Sequence, residues 1–141
     1  MAYSSLVAIQ DKLPDDTLLR LTDDENGNVI VIDRINSAIS WADGWIDAYI
    51  GKRHTLPLKT VPMVLESISV DLAIYRLYLR RGNVPEDIEF AYKEAISFLK
   101  DVSTGKASLG EEDPDGTPAS SEAPRITSDR RLFSRRGLRE F

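Results

Sequence analysis

Three stretches of roughly twenty residues repeat apolar side chains at steps of three and four, and no run alternates long enough for a confident strand. That periodicity confines the chain to a mainly α fold: a small bundle of about three main helices plus short N-terminal helices. The first stretch predicts a helix over 29–50. Ile32, Ile35, Ile39, Ala42, Ile46 and Tyr49 share one face, with Asp33, Ser37, Ser40, Asp43 and Asp47 on the polar side. Asn28 suits the N-cap and Gly51 a left-handed C-cap. Gly44, inside the helix, costs about 1 kcal/mol relative to alanine, and would let a neighbouring helix approach.

The second stretch predicts a helix over 62–80, capped by Thr60 or Val61, with Pro62 in its first turn. Leu65, Ile68, Leu72, Tyr75 and Leu79 form one stripe, and Val64, Val70, Ile74, Leu77 and Tyr78 a second. A helix apolar on two sides is the central one of a small domain, or it touches a neighbour. The third helix is predicted over 85–103. Glu86 and Asp87 lie in its first turn, Lys100 in its last, and Gly105 at the stop, as the helix dipole favours. Its apolar face is Ile88, Tyr92, Ala95, Phe98 or Leu99, and Val102. Residues 4–12 and 15–21 each suit two helical turns, broken by Leu13-Pro14. Residues 22–28 read as a turn with Asn26-Gly27 at its tip, and 51–61 as an irregular connector around Leu56-Pro57-Leu58. The expected core is Ile35, Ile39, Ile46, Leu65, Ile68, Leu72, Tyr75, Tyr92 and Phe98.

Charge divides the chain. Residues 1–110 hold 12 bases and 16 acids, residues 111–124 hold five acids and no base, and residues 125–141 hold six arginines against Asp129 and Glu140. The middle segment, EEDPDGTPASSEAP, has three prolines and no large apolar residue, so by itself it is expected to be extended or disordered. The expected organisation is a helical domain over 1–110, an acidic linker over 111–124, and an extended C-terminal arm over 125–141. In that arm Arg130, Arg131, Arg135 and Arg136 interleave with Leu132, Phe133, Leu138 and Phe141. This composition suits a segment that orders on a partner, with apolar anchors in grooves and arginines on carboxylates or phosphates. A solvated basic tail is the plainer alternative.

Candidate chemistry is sparse. The chain has no cysteine, which removes disulfides, thiolate metal sites and a cysteine nucleophile. The longest apolar run, 29–32, is 4 residues, against about 20 for a membrane span. No signal peptide is expected. The one histidine, His54, follows Lys52 and Arg53, and is expected at the surface or an interface and not on a metal. Asp23, Asp24 and Glu25 resemble a calcium loop, but Arg34 stands where a glutamate is needed, so a solvated turn is expected. Asp71 is expected to pair with Arg53, Arg76 or Lys52, without a second group for catalysis. Neither catalytic nor metal residues, nor a cofactor, is expected. Trp41 and Trp45 stand four apart, offset from the isoleucine stripe. Core packing explains them, and so does a subunit interface.

Several segments, in order, resemble the phage Mu-like family of small head–tail connector (adaptor) proteins. They are Tyr3, LLRLTDDENG at 18–27, INSAISWADGWIDAYIGKR at 35–53, LPL at 56–58, PMVLESISVDLAIYRLY at 62–78, FAYKEAISFLKDVSTGKASLG at 90–110 and the ending RRLFSRRGLREF. The family commonly has a tyrosine where this chain has His54. The resemblance implies a structural virion protein. It would form a ring, a dodecamer, beneath the portal protein, join head to tail at a tail-terminator or stopper protein, and continue the channel for packaged DNA without sequence-specific binding. It would work in the virion neck after assembly in the host cytoplasm, away from membranes, with the C-terminal arm reaching the portal. Two other classes compete. One is a small nucleic-acid-binding helical module of phage or prophage origin, using Arg80, Arg81 and the arm arginines on phosphates. The other is an enzyme.

Overall fold

The structure, a computed structural model, describes residues 2–110. All regular structure among them is helical: α1 Leu6–Lys12, α2 Asp15–Thr22, α3 Ile32–Ile50, α4 Met63–Arg81 and α5 Glu86–Thr104. The expected extended arm lies outside the described residues. The small helical bundle predicted from periodicity is thus the observed fold, with α4 at its centre, touching each of the other four helices.

Local chemistry explains most helix ends. The Ser5 hydroxyl caps α1 by accepting from the Ala8 N–H at 3.3 Å. Pro62 and Pro85 stand immediately before α4 and α5, where a missing N–H does no harm. Gly82 and Gly105 close these helices with φ of 81° and 80°. A Cβ at Gly105 would also lie 1.8 Å from the Arg53 guanidinium, the flexible end of which would have to shift.

The start of α3 departs from expectation. Asn28 does not cap it. Asn28 adopts φ 56° and donates its N–H to Asp23 Oδ2 at 2.8 Å. Residues 29–31 stay non-helical, and the Val31 N–H donates to Thr22 Oγ1 at 3.2 Å. At the other end Gly51 is right-handed, not left-handed, because the chain continues curling: Arg53 and His54 both donate to the Ile50 carbonyl.

The core holds Ile9, Leu18, Ile35, Ile46, Ile50, Leu65, Leu72, Ile74, Leu77, Leu99 and Val102, all essentially without solvent contact. Three expected members sit at its margin instead. Tyr75, Tyr92 and Phe98 are half-buried, while Leu77, Ala95 and Leu99 take the centre of their stripes. Ile32 and Leu79, placed by spacing at the ends of buried stripes, are exposed, at 50% and 42%.

Candidate interaction surface

Trp41, Trp45 and Tyr49 occupy successive turns of α3 and form a continuous aromatic ridge. The tryptophan rings meet edge to face at 5.9 Å, and Trp45 stacks on Tyr49 at 6.1 Å. Such offset geometries satisfy the ring quadrupoles. Arg76 on α4 lies over the Trp41 ring, 5.3 Å from its centroid. Beyond Tyr49 the aromatic surface continues onto α4 and α5, where Tyr75 and Tyr92 stack at 3.9 Å. Burial first, then the neighbouring phenols of Tyr75 and Tyr49, raise the Tyr92 hydroxyl above its ordinary value.

Neither tryptophan belongs to the buried core. Trp41 is half-buried and Trp45 is 38% exposed. Beside the ridge runs a shallow notch lined by Ser40, Gly44 and Ala48 with the two indoles. Among the described residues no helix enters it: a Cβ built on Gly44 meets nothing within 4 Å. The expectation that Gly44 admits a neighbouring helix therefore fails among the described residues.

A buried polar node ties the N-terminus to the bundle, and the polar face assigned to α3 from spacing missed it. Asp43 is only 7% exposed. It accepts the Tyr3 N–H at 3.2 Å and the Ser69 hydroxyl at 3.1 Å, and Ser69 in turn contacts the Ser4 hydroxyl at 2.8 Å. The Tyr3 hydroxyl donates to Asp47 at 2.5 Å. Burial, with that bond and the Asp47 charge, raises the Tyr3 phenol. A signal was present: Asp43 falls between Ile39 and Ile46, and Ser69 between Leu65 and Leu72, both at in-stripe spacing.

Burial also raises the Asp43 carboxyl above 3.8, against the bonds from Tyr3 and Ser69 and with help from Asp47. The folded state therefore holds this proton more tightly than the unfolded chain. Its contribution favours folding below 3.8 and is lost as pH rises through the folded value. Unfolding free energies of the wild type and Asp43→Asn, measured by urea titration between pH 7 and 4, should show a wild-type advantage that grows on acidification. A constant difference would exclude this titration.

The turn at 22–28 is likewise organised. Burial acts to raise the Asp23 carboxyl, but bonds from the N–H groups of Asn28, Gly27, Glu25 and Asn26 outweigh it and hold it below its ordinary value. Asp24 pairs with Arg80, with Arg34 at 3.0 Å and with Arg81 at 3.3 Å, and is lowered chiefly by the Arg80 bond. Arg80 also donates to the Leu21 carbonyl at 3.0 Å and Arg81 to that of Asp23 at 2.5 Å. The two arginines offered as phosphate contacts are thus engaged by their own turn.

Two further expectations are corrected. Of the two places expected for His54, the surface is excluded: it is buried at 5% exposure in the turn that follows α3. Asp71 pairs with Lys12 of α1, because α1 packs against α4 at that level, and not with Lys52, Arg53 or Arg76. No group of three or more His, Cys, Asp or Glu suited to a metal occurs among the described residues, and no described helix is long and apolar enough to cross a membrane. The predicted arm residues Arg130, Arg131, Leu132, Phe133, Arg135, Arg136, Leu138 and Phe141 lie outside the described residues, as do both expected boundaries beyond 110.

Known proteins share this chain's sequence along most of its length. The profile of the family described as Bacteriophage Mu, Gp36 matches residues 3–128, which include the ridge and the polar node. The Mu-like prophage FluMu protein gp36 of Haemophilus influenzae is 33% identical over 108 residues, covering 77% of this chain and 75% of that one. Gene product J of Escherichia phage Mu is 30% identical over 100 residues, 70% of each chain. With the family profile spanning nearly the whole chain, and relatives of 30% and 33% identity covering 70% and 77% of it, this protein belongs to the bacteriophage Mu Gp36 family.

Proposed function

We propose that this protein is a structural component of the phage neck, a connector without catalytic activity or cofactor. Copies assemble into a ring, a dodecamer, beneath the portal protein. The ring meets a tail-terminator or stopper protein on its other side and continues the DNA channel. The protein acts in the virion and assembles there from the host cytoplasm. The observation that carries this reading is the Trp41–Trp45–Tyr49 ridge, which the described residues leave partly exposed, Trp45 most of all at 38%, in a member of a phage protein family. Tryptophan and tyrosine are the residues that dominate subunit contacts. A ring requires such a surface on every copy. The excess of acids over bases in residues 1–110 supports a conduit as well, since like charge keeps DNA from adhering to the wall.

In this reading the arm over 125–141 engages the portal. The experiment is a truncation after Gly110. The shortened chain should keep its helical content and cooperative melt, because the buried residues from Tyr3 to Leu109 are all retained. It should lose capture by immobilised portal protein. Capture equal to that of the full chain would remove the arm from the contact, and capture by neither chain would sink the connector reading.

A further inference from the structure

The ridge is one apolar surface among the described residues. A second, a groove of about 470 Å³, lies between α1, α2 and the chain entering α3. Leu6, Leu19, Val29 and Ile32 supply its apolar lining, with Val29 65% and Ile32 50% exposed. Asp15 and Asp16 are the charged residues that line it. The two surfaces do not adjoin. Thirteen residues separate Ile32 from Trp45, which at 100° and 1.5 Å per residue sets them about 140° apart around α3 and about 20 Å along it. The groove takes in the first residue of α3, and the notch beside the ridge takes in Ser40 to Ala48 at its middle.

We infer that the groove of one copy receives the aromatic ridge of the next, Asp15 and Asp16 facing Arg76. The occupant is a second copy of this chain, and the inference rests on the ring proposed above. Three observations carry it. First, a closed ring needs two different patches on each subunit, and the groove and the notch beside the ridge share no lining residue. Second, the charges are complementary. The groove is rimmed by two carboxylates, and the ridge carries a guanidinium over Trp41. Such pairing fixes which patch meets which. Third, a Cβ built on Gly44 meets nothing within 4 Å among the described residues. A glycine within a helix weakens it, so a notch left empty by the described residues is explained by an apolar side chain arriving from another copy. Val29 and Ile32 are the exposed apolar side chains of the facing groove.

The chain has no cysteine, so a single introduced thiol reports one position. Full-length Val29→Cys and Ala48→Cys proteins, given tags of different size, would be treated with a short bis-maleimide separately and as a mixture. A cross-linked product of intermediate size that forms only in the mixture is the expected result. Product from either variant alone would mean that a patch meets itself, and would overturn the inference. So would no product in a mixture that sediments as an oligomer, or a chain that stays monomeric to millimolar concentration. A charge exchange provides the second arm. Asp15→Arg with Asp16→Arg should weaken self-association at least tenfold, and adding Arg76→Glu should restore part of it. Gly44→Leu should weaken association without lowering the melting temperature. Unaltered association in these variants would overturn the inference. Portal capture by the arm is a separate readout, so failure of this contact and failure of the connector role are distinguishable.

Discussion

Replacing Leu72 with alanine should destabilise the protein by about 2–5 kcal/mol, the largest stability effect expected of any single substitution in the bundle. Leu72 lies mid-way along α4 and has no solvent exposure. Because α4 touches every other helix, the void left by the lost side chain is bordered by several elements and cannot close by the movement of one. A domain of this size has about 5–15 kcal/mol in total, so the variant should melt about 10 °C lower or more, with a reduced urea midpoint. Leu79→Ala on the same helix is the control. Leu79 is exposed, and its truncation should stay within about 0.5 kcal/mol of wild type. Equal effects from the two would mean that the buried face of α4 is not the one described.

The double substitution Leu132→Ala and Phe133→Ala should reduce affinity for the portal by about two to four orders of magnitude. Each side chain contributes about 1.5–3 kcal/mol when fully buried, and about 1.4 kcal/mol corresponds to a factor of ten. The fourteen residues of 111–124 span up to about 46 Å when extended, so the arm can reach a neighbouring protein while the helical body stays in its own ring. Phe133 is the expected main anchor, since an aromatic residue flanked by polar ones is the usual centre of such contacts. In the proposed contact, Arg130, Arg131, Arg135 and Arg136 are expected to pair with acids of the partner and to set register more than affinity. Binding would be measured by surface capture at two salt concentrations. Undiminished capture by the double variant would exclude the apolar anchors. Capture lost only at high salt, with the double variant unaffected, would assign the contact to the arginines.

Within the sequence, helix number, type and approximate bounds were legible, and so was the central position of α4. These depend on local chemistry. A 3.6-residue repeat aligns apolar side chains whatever surrounds the helix, Gly82 and Gly105 terminate by their own backbone freedom, and Pro62 and Pro85 disfavour helix before themselves. The tryptophan pair was legible as a pair, four apart and off the isoleucine stripe, but not as a surface. Its spacing is equally good for core packing. Only the arrangement of α4 and α5 around α3 decides which flank is covered, and they leave the side of Trp45 open.

Tertiary structure alone decided the rest. Asp43 looks like a solvent residue by type, yet the Tyr3 N–H and the Ser69 hydroxyl meet it from 40 and 26 residues away and allow its burial. Pairing of Asp71 with Lys12 and convergence of Arg34, Arg80 and Arg81 on Asp24 also join segments distant in the chain. Ile32 and Leu79 reverse the pattern, being apolar, in register, and still exposed. Periodicity determined which residues could share a face. The extent of each neighbouring element, and the polar partners it brings, determined which faces are closed to water.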